Sequence, residues 1–194
     1  SSPIKTTSVY GSTKIKCENL IKHYSVTKGI KSICLRYFNP VGSHEDNIVV
    51  EDSYNNPNNL MPKLIQVAMN NTNLIDVYGS DYNTRDGTGE RDYIHIIDLI
   101  EGHISAMYKV QDIDNIDFFN LGTGVPTSVL EMVKKFNETN GLKVKVNYEE
   151  RRNGDVAVCY ADPNKALKEL NWKANLGLER MCKDAWEAIQ NDCK

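Results

Sequence analysis

The feature that most restricts the fold is a repeated change of hydrophobic period along the chain. Residues 117–121 read as a short buried strand, and Gly122-Thr123-Gly124 breaks it. Ser128 and Glu131 then stand in capping-box spacing before a helix expected to end at Gly141, and residues 144–148 read as a strand again. A chain that moves between period 2 and period 3.6 in this way is α/β. The same exchange runs from end to end, with no internal repeat to suggest a solenoid.

At the N-terminal side, Thr6, Thr7 and Ser8 offer N-cap oxygens, and Cys17, Leu20, Ile21 and Tyr24 recur at helical spacing until Gly29. Residues 30–38 predict a well-buried strand, stopped by Asn39-Pro40, at the kind of strand end where open α/β sheets place ligands. A polar segment, 42–59, follows. Asn59 is expected to cap a helix carrying Pro62 in its first turn and running to about Asn70. A strand over 75–78, a turn-rich loop over 79–90 containing Gly87-Thr88-Gly89, and an extended stretch over 91–96 come next. Asp98 with Glu101 predicts a second capping box, for a helix through Lys109. Beyond residue 148, Arg151-Arg152-Asn153-Gly154-Asp155 forms a charged turn, and Asp162-Pro163 starts a short helix to Leu170. Leu178, Met181, Cys182, Ala185 and Ile189 mark an amphipathic last helix.

Composition excludes several classes. The 194 residues are 40% hydrophobic and 25% charged with a net charge of −3, so the chain is not generally basic, which argues against a nucleic-acid or membrane-surface partner. No apolar run reaches the roughly 20 residues of a membrane span. Five scattered cysteines without a Cys-x-x-Cys pair read as reduced thiols of an intracellular protein, and the four histidines show no metal-ligand pairing. The chain begins on Ser1 rather than methionine, which fits a piece of a longer protein.

Two patterns carry chemistry. Tyr10 and Lys14 lie four residues apart at a helix start, a spacing that stacks them on one face. A fixed ammonium favours the phenolate, which suits a general acid/base. The spacing equally suits a helix-start tyrosine beside a surface lysine, and Tyr24 with Lys28 repeats it. Residues 118–127 read strand, Gly-x-Gly, helix, most of a dinucleotide fingerprint, with Glu149 downstream. Thr127 replaces the third glycine, so a plain strand-to-helix turn is the preferred reading.

Taken with Leu35-Arg36-Tyr37-Phe38-Asn39-Pro40-Val41-Gly42, Pro57-Asn58-Asn59-Leu60-Met61-Pro62, Gly87-Thr88-Gly89-Glu90-Arg91-Asp92-Tyr93-Ile94-His95 and Arg151-Arg152-Asn153-Gly154-Asp155, the Tyr10-x-x-x-Lys14 motif gives the chain a resemblance to the UDP-glucose 4-epimerases of the extended short-chain dehydrogenase/reductase family. The blocks cover nearly all of the chain in that family's order, from its catalytic tyrosine onward.

The resemblance implies an NAD-dependent enzyme of the cytoplasm, active as a homodimer, that interconverts UDP-glucose and UDP-galactose through a 4-keto sugar. Tyr10 matches the general acid/base and Lys14 the residue that holds the nicotinamide ribose. Tyr37 and Phe38 match the nicotinamide pocket. Asn39, Asn59 and the Leu60 backbone match contacts to the UDP-sugar, and Val77 and Tyr78 match the uracil pocket. Arg91 and Arg152 match the diphosphate clamp, a task suited to planar guanidinium groups. Asp155 matches an acceptor for a ribose hydroxyl. The remaining part of a Rossmann-type nucleotide domain is expected at 1–40 and 94–121, and a UDP-sugar-binding domain at 41–93 and 122–194. Cys159 stands where epimerases restricted to non-acetylated sugars have tyrosine, which implies that UDP-N-acetyl sugars are accepted as well. Another nucleotide-sugar enzyme on the same scaffold (a dehydratase or decarboxylase), or a UDP-sugar-binding piece without activity, are the competing readings.

Overall fold

Twenty residues form the first helix, α1 (Val9–Lys28), which ends where Gly29 takes φ 66°, a left-handed backbone that suits glycine. The structure is a computed structural model and describes residues 9–44, 46, 57–70, 72 and 74–192. Thr6, Thr7 and Ser8, most of the 42–59 segment, and Cys193 lie outside the described residues. After α1 come β1 (Ser32–Tyr37) and, one residue later, β2 (Asn39–Val41). The single predicted strand over 30–38 is therefore β1, and the chain enters a second sheet at the Asn-Pro step.

β1 pairs in parallel with β5 (Ile116–Leu121), in register from Ser32 with Ile116 to Tyr37 with Leu121. Parallel neighbours need a long crossover, and here it holds three further strands, β2 among them, while three more follow β5. β4 (Glu90–His95) is their hub: it pairs in parallel with β2 and β8 (Val158–Cys159), and antiparallel with β6 (Pro126–Ser128). β3 (Leu74–Tyr78) pairs in parallel with β7 (Lys145–Glu149).

Two hydrophobic clusters organise the helices. In one, Leu64 of α2 (Leu60–Met69), Met132 and Phe136 of α4 (Val129–Asn140) and Cys182 of α6 (Leu178–Asp192) are fully buried against Ile75 and Val77 of β3. Burial pushes the Cys182 thiol up to about 12, so it packs as a small apolar group. In the other, Phe119 and Leu121 of β5 pack with Leu99 of α3 (Ile96–Lys109), Leu170 of α5 (Asn164–Leu170) and Trp172.

Local signals set both ends of α4. Ser128 and Glu131 make the full reciprocal capping box, and Gly141 closes α4 at φ 65°. At α3 the cap is His95, not Asp98: His95 Nδ1 accepts from the Ile97 amide. Asp98 lies in the first turn and is buried, where its Oδ2 accepts from the amides of Asn175 and Leu176 and its carbonyl from Trp172 Nε1. A tertiary demand for an acceptor took the carboxylate that local spacing had assigned to a cap. His95 Nε2 meets Asp184 Oδ2 at 3.1 Å, and with both nitrogens engaged in a buried position its pKa is lowered by burial.

α1 is the least covered element. Leu20, Ile21, Tyr24 and Val26 are exposed, and an Arg36–Glu18 pair with Nε–Oε1 at 2.7 Å ties the helix to β1. Among the described residues, β1 pairs with β5 alone, so its other edge is open.

Candidate functional site

Eight residues singled out in the sequence line one cavity of about 180 Å³: Asn39, Asn59, Leu60, Val77, Tyr78, Arg91, Arg152 and Asp155. They arrive from five places, namely the start of β2, the start of α2, the carboxyl end of β3, β4, and the turn after β7. Asn59 occupies the N-cap position of α2, yet its side chain makes no capping hydrogen bond. Leu60 opens the helix, so its backbone N–H belongs to the unpaired first turn that favours acceptors and anions. β3 ends at Tyr78, and the chain leaves through Gly79 at φ 83°, where a Cβ would meet the Tyr82 ring at 2.4 Å.

The two consecutive arginines separate cleanly. Arg151 donates from Nε to Asp81 Oδ1 at 2.6 Å and covers the Tyr82 ring at 4.2 Å, which makes it a brace for the loop. Arg152 reaches the cavity and lies flat on Tyr78, 3.7 Å from the ring centroid. Arg91 approaches Asp155 with Nη2 to Oδ1 at 3.8 Å and donates from Nη1 to the Glu90 carbonyl at 2.9 Å. Two guanidinium groups and the Asp155 carboxylate therefore meet at this cavity, a set able to clamp a diphosphate and accept from a hydroxyl.

Lys63, Asp76, Tyr82 and Tyr93 also line this cavity and escaped the sequence reading. Two had a usable signal: Lys63 is four residues past Asn59 on a helix, and Tyr93 is two past Arg91 on a strand. Lys63 Nζ stands 5.7 Å from the Tyr78 centroid, on the same ring as Arg152. Burial pushes the Tyr93 phenol up to about 12, so it stays a neutral donor.

Tyr10, Lys14 and Tyr37 line a second cavity of about 440 Å³, between α1 and β1, with Ile21, Ile33 and Leu35 on its walls. Tyr10 is 70% exposed, and Lys14 Nζ lies 5.2 Å from its ring centroid, as i,i+4 spacing requires. Burial raises the pKa of the nearby Cys34 thiol. Phe38 is half-buried between β1 and β2. Cys159 is exposed on β8, in register with Arg91. Neither is among the residues lining these two cavities.

The Gly122-Thr123-Gly124 turn has its donors committed. Asp92 Oδ1 accepts from the Thr123 amide at 2.9 Å and its hydroxyl at 2.6 Å, and Asp92 Oδ2 from the Gly124 amide at 2.9 Å. The backbone nest that a dinucleotide phosphate would need is filled by the protein's own carboxylate.

The profile of one family, described as GDP-mannose 4,6 dehydratase, matches residues 1–185. The chain belongs to that family. Within it, the chain resembles enzymes named UDP-glucose 4-epimerase. It is 47% identical to the one from Bacillus subtilis (strain 168) over 185 residues, which are 95% of this chain and 55% of the relative. It is 50% identical to the one from Drosophila melanogaster over 183 residues, 93% of this chain and 52% of that protein. The chain thus spans about half the length of these curated relatives. Among solved structures, the Stenotrophomonas maltophila UDP-glucose 4-epimerase with bound NAD and formylated UDP-arabinopyranose superposes with a TM-score of 0.91 at 40% identity, covering 100% of this chain and 57% of that one. The Bifidobacterium longum enzyme in complex with NAD⁺ and UDP gives 0.89 at 39% identity, covering 97% and 56%. The fold is accordingly α/β of Rossmann type.

Proposed function

We propose that this family member supplies the acid/base pair and the UDP-sugar site of an NAD-dependent UDP-glucose 4-epimerase. What carries the reading is the convergence of eight distant residues, from Asn39 to Asp155, on one cavity. That cavity is below the roughly 300–1,000 Å³ of sites that enclose a whole drug-sized ligand. It therefore takes the flat uracil between Val77 and Tyr78, while the diphosphate runs along the rim under Arg91 and Arg152. Arg152 has to leave the Tyr78 face, or share it, when the base enters. Asp155 accepts from a ribose hydroxyl, and Asn39 and Asn59 donate amide hydrogens to the sugar and phosphates.

The second cavity offers a nicotinamide nucleotide Lys14 and Tyr37 as polar partners. Tyr37, Phe38, Tyr10 and Lys14 would hold it there. NAD⁺ held there would supply a reversible acceptor for the hydride of C4. Tyr10 takes the proton of the sugar 4-hydroxyl as the C4 carbonyl forms, and returns it to the oxygen after the keto sugar has turned over. Lys14 stands beside the Tyr10 ring, its Nζ 5.2 Å from the centroid. Residues 1–40 and 94–121 serve the nucleotide and residues 41–93 and 122–194 the UDP-sugar, although α5 and Trp172 pack on the nucleotide side. Of the Cys17, Leu20, Ile21 and Tyr24 stripe of α1, Cys17 and Ile21 line the second cavity, which leaves the exposed Leu20 and Tyr24 to pair with a second copy, and the reduced thiols suit the cytoplasm.

The test is UDP titration and turnover of UDP-galactose by the complete protein. Arg152→Ala is expected to weaken UDP binding by about 10- to 100-fold, the worth of a hydrogen bond to a charged group of roughly 1.5–3 kcal/mol. UDP affinity that is unchanged in Arg152→Ala would move the nucleotide out of this cavity.

The exposed thiol of Cys159 beside Arg91 leaves room for a 2-acetamido group on the sugar. The protein is therefore expected to epimerise both UDP-galactose and UDP-N-acetylgalactosamine, and Cys159→Tyr to lose the acetylated substrate preferentially. Equal losses on both sugars would show that side-chain size at this position is not the filter.

A further inference from the structure

Asp92 is fully buried on β4, next to Arg91, and the proposed chemistry leaves it without a task. Its two oxygens receive four hydrogen bonds: the Thr123 amide and hydroxyl on Oδ1, and the amides of Gly124 at 2.9 Å and Ala161 at 3.1 Å on Oδ2. Close approach is built in, because a Cβ on Gly122 would lie 2.7 Å from Asp92 Oδ2 and 2.6 Å from the Ala161 Cβ.

The Ala161 bond matters most. β8 has only two residues in register with β4, Val158 with Glu90 and Cys159 with Arg91. Its leading side is held by the Glu90 amide donating to the Ala157 carbonyl at 2.8 Å. Its trailing side is held by Asp92. Cys159 thus sits between two anchors, one of which is a side chain. We infer that Asp92 is a positioning residue for sugar selection, fixing the Cys159 segment against the strand that carries Arg91. This rests on the epimerase reading above.

The experiment uses the complete protein with Asp92→Ala and Asp92→Asn, reading amide exchange at Ala161 together with kinetics on UDP-galactose and UDP-N-acetylgalactosamine. In Asp92→Ala the Ala161 amide loses its acceptor, and its exchange is expected to speed up about tenfold or more. On that reading the acetylated sugar is the one that meets Cys159, and it is expected to lose about fivefold more kcat/KM than UDP-galactose, mainly through KM. In Asp92→Asn the one oxygen can still serve Gly124 and Ala161; the amide nitrogen can donate to the Thr123 hydroxyl, while the Thr123 amide loses its acceptor. That variant is expected to keep Ala161 protected and the sugar ratio within about twofold of the parent. Should Asp92→Ala fail to fold, Asp92→Ser is read the same way, since its hydroxyl is too short to reach Ala161. A variant whose Ala161 amide exchanges freely while the sugar ratio is unchanged overturns the role of Asp92 alone. A parent protein that turns over neither sugar overturns the epimerase reading, and this role with it.

Discussion

Replacing Tyr10 by phenylalanine is expected to cut turnover of UDP-galactose by about 10²–10⁴-fold, the range for loss of a positioned general acid/base. In the proposed mechanism the phenol exchanges a proton with the sugar; it stands on α1, largely exposed, lining the cavity beside β1, with Lys14 Nζ 5.2 Å from its ring. Affinity for UDP is expected to stay within about twofold, because Tyr10 is not among the residues lining the cavity that gathers Arg91, Arg152 and Asp155. A fall in kcat at constant UDP affinity separates chemistry from binding. Undiminished kcat would remove Tyr10 from the mechanism, and a parallel loss of UDP affinity would mean that the two cavities are not independent.

Much of this arrangement was legible in the sequence, for reasons that differ by element. Gly29 and Gly141 end their helices because each needs a left-handed backbone, and Ser128 with Glu131 caps α4 through bonds between near neighbours. Local chemistry fixes such features, so local reading finds them. Asp98 shows the limit. Its spacing to Glu101 satisfies the capping pattern, but the amides of Asn175 and Leu176, far along the chain, claim the carboxylate. β2, β6 and β8 were not legible as strands, since two or three residues are too few to display a period. Two of them nonetheless place site candidates, β2 Asn39 and β8 Cys159.

The site residues were named by resemblance, and what the structure adds is discrimination among equals. Arg151 and Arg152 are adjacent and chemically identical in sequence, yet only Arg152 faces the cavity while Arg151 braces Asp81. The Gly-x-Gly turn at 122–124 looked like a phosphate cradle because its backbone is one. The anion it holds is Asp92, thirty-one residues earlier for Thr123, which no local pattern reveals.

The 194 residues expressed by themselves are expected to bind UDP weakly, to show no saturable NAD⁺ binding, and to leave UDP-galactose unchanged. A dinucleotide pyrophosphate needs close backbone amides and a helix N-terminus. In both Gly-x-Gly turns of the described residues, amides of this kind are already engaged: those of Thr123 and Gly124 by Asp92, and that of Thr88 by Asp86 Oδ1 at 2.9 Å. The adenine side of the cofactor therefore has no cradle among them, and Tyr10, Lys14 and Tyr37 can meet only its nicotinamide end. The open edge of β1 and the apolar exposure of Leu20, Ile21, Tyr24 and Val26 on α1 add a second expectation. An unpaired strand edge beside apolar surface templates association, so the isolated chain is expected to self-associate at micromolar concentration rather than run as a 22.0 kDa monomer. Light scattering beside an NAD⁺ titration and a UDP-galactose assay measures all three quantities on one sample. A monodisperse 22.0 kDa species that saturates with NAD⁺ and epimerises UDP-galactose would show that these residues hold a complete cofactor site, and that the open edge of β1 is a finished surface.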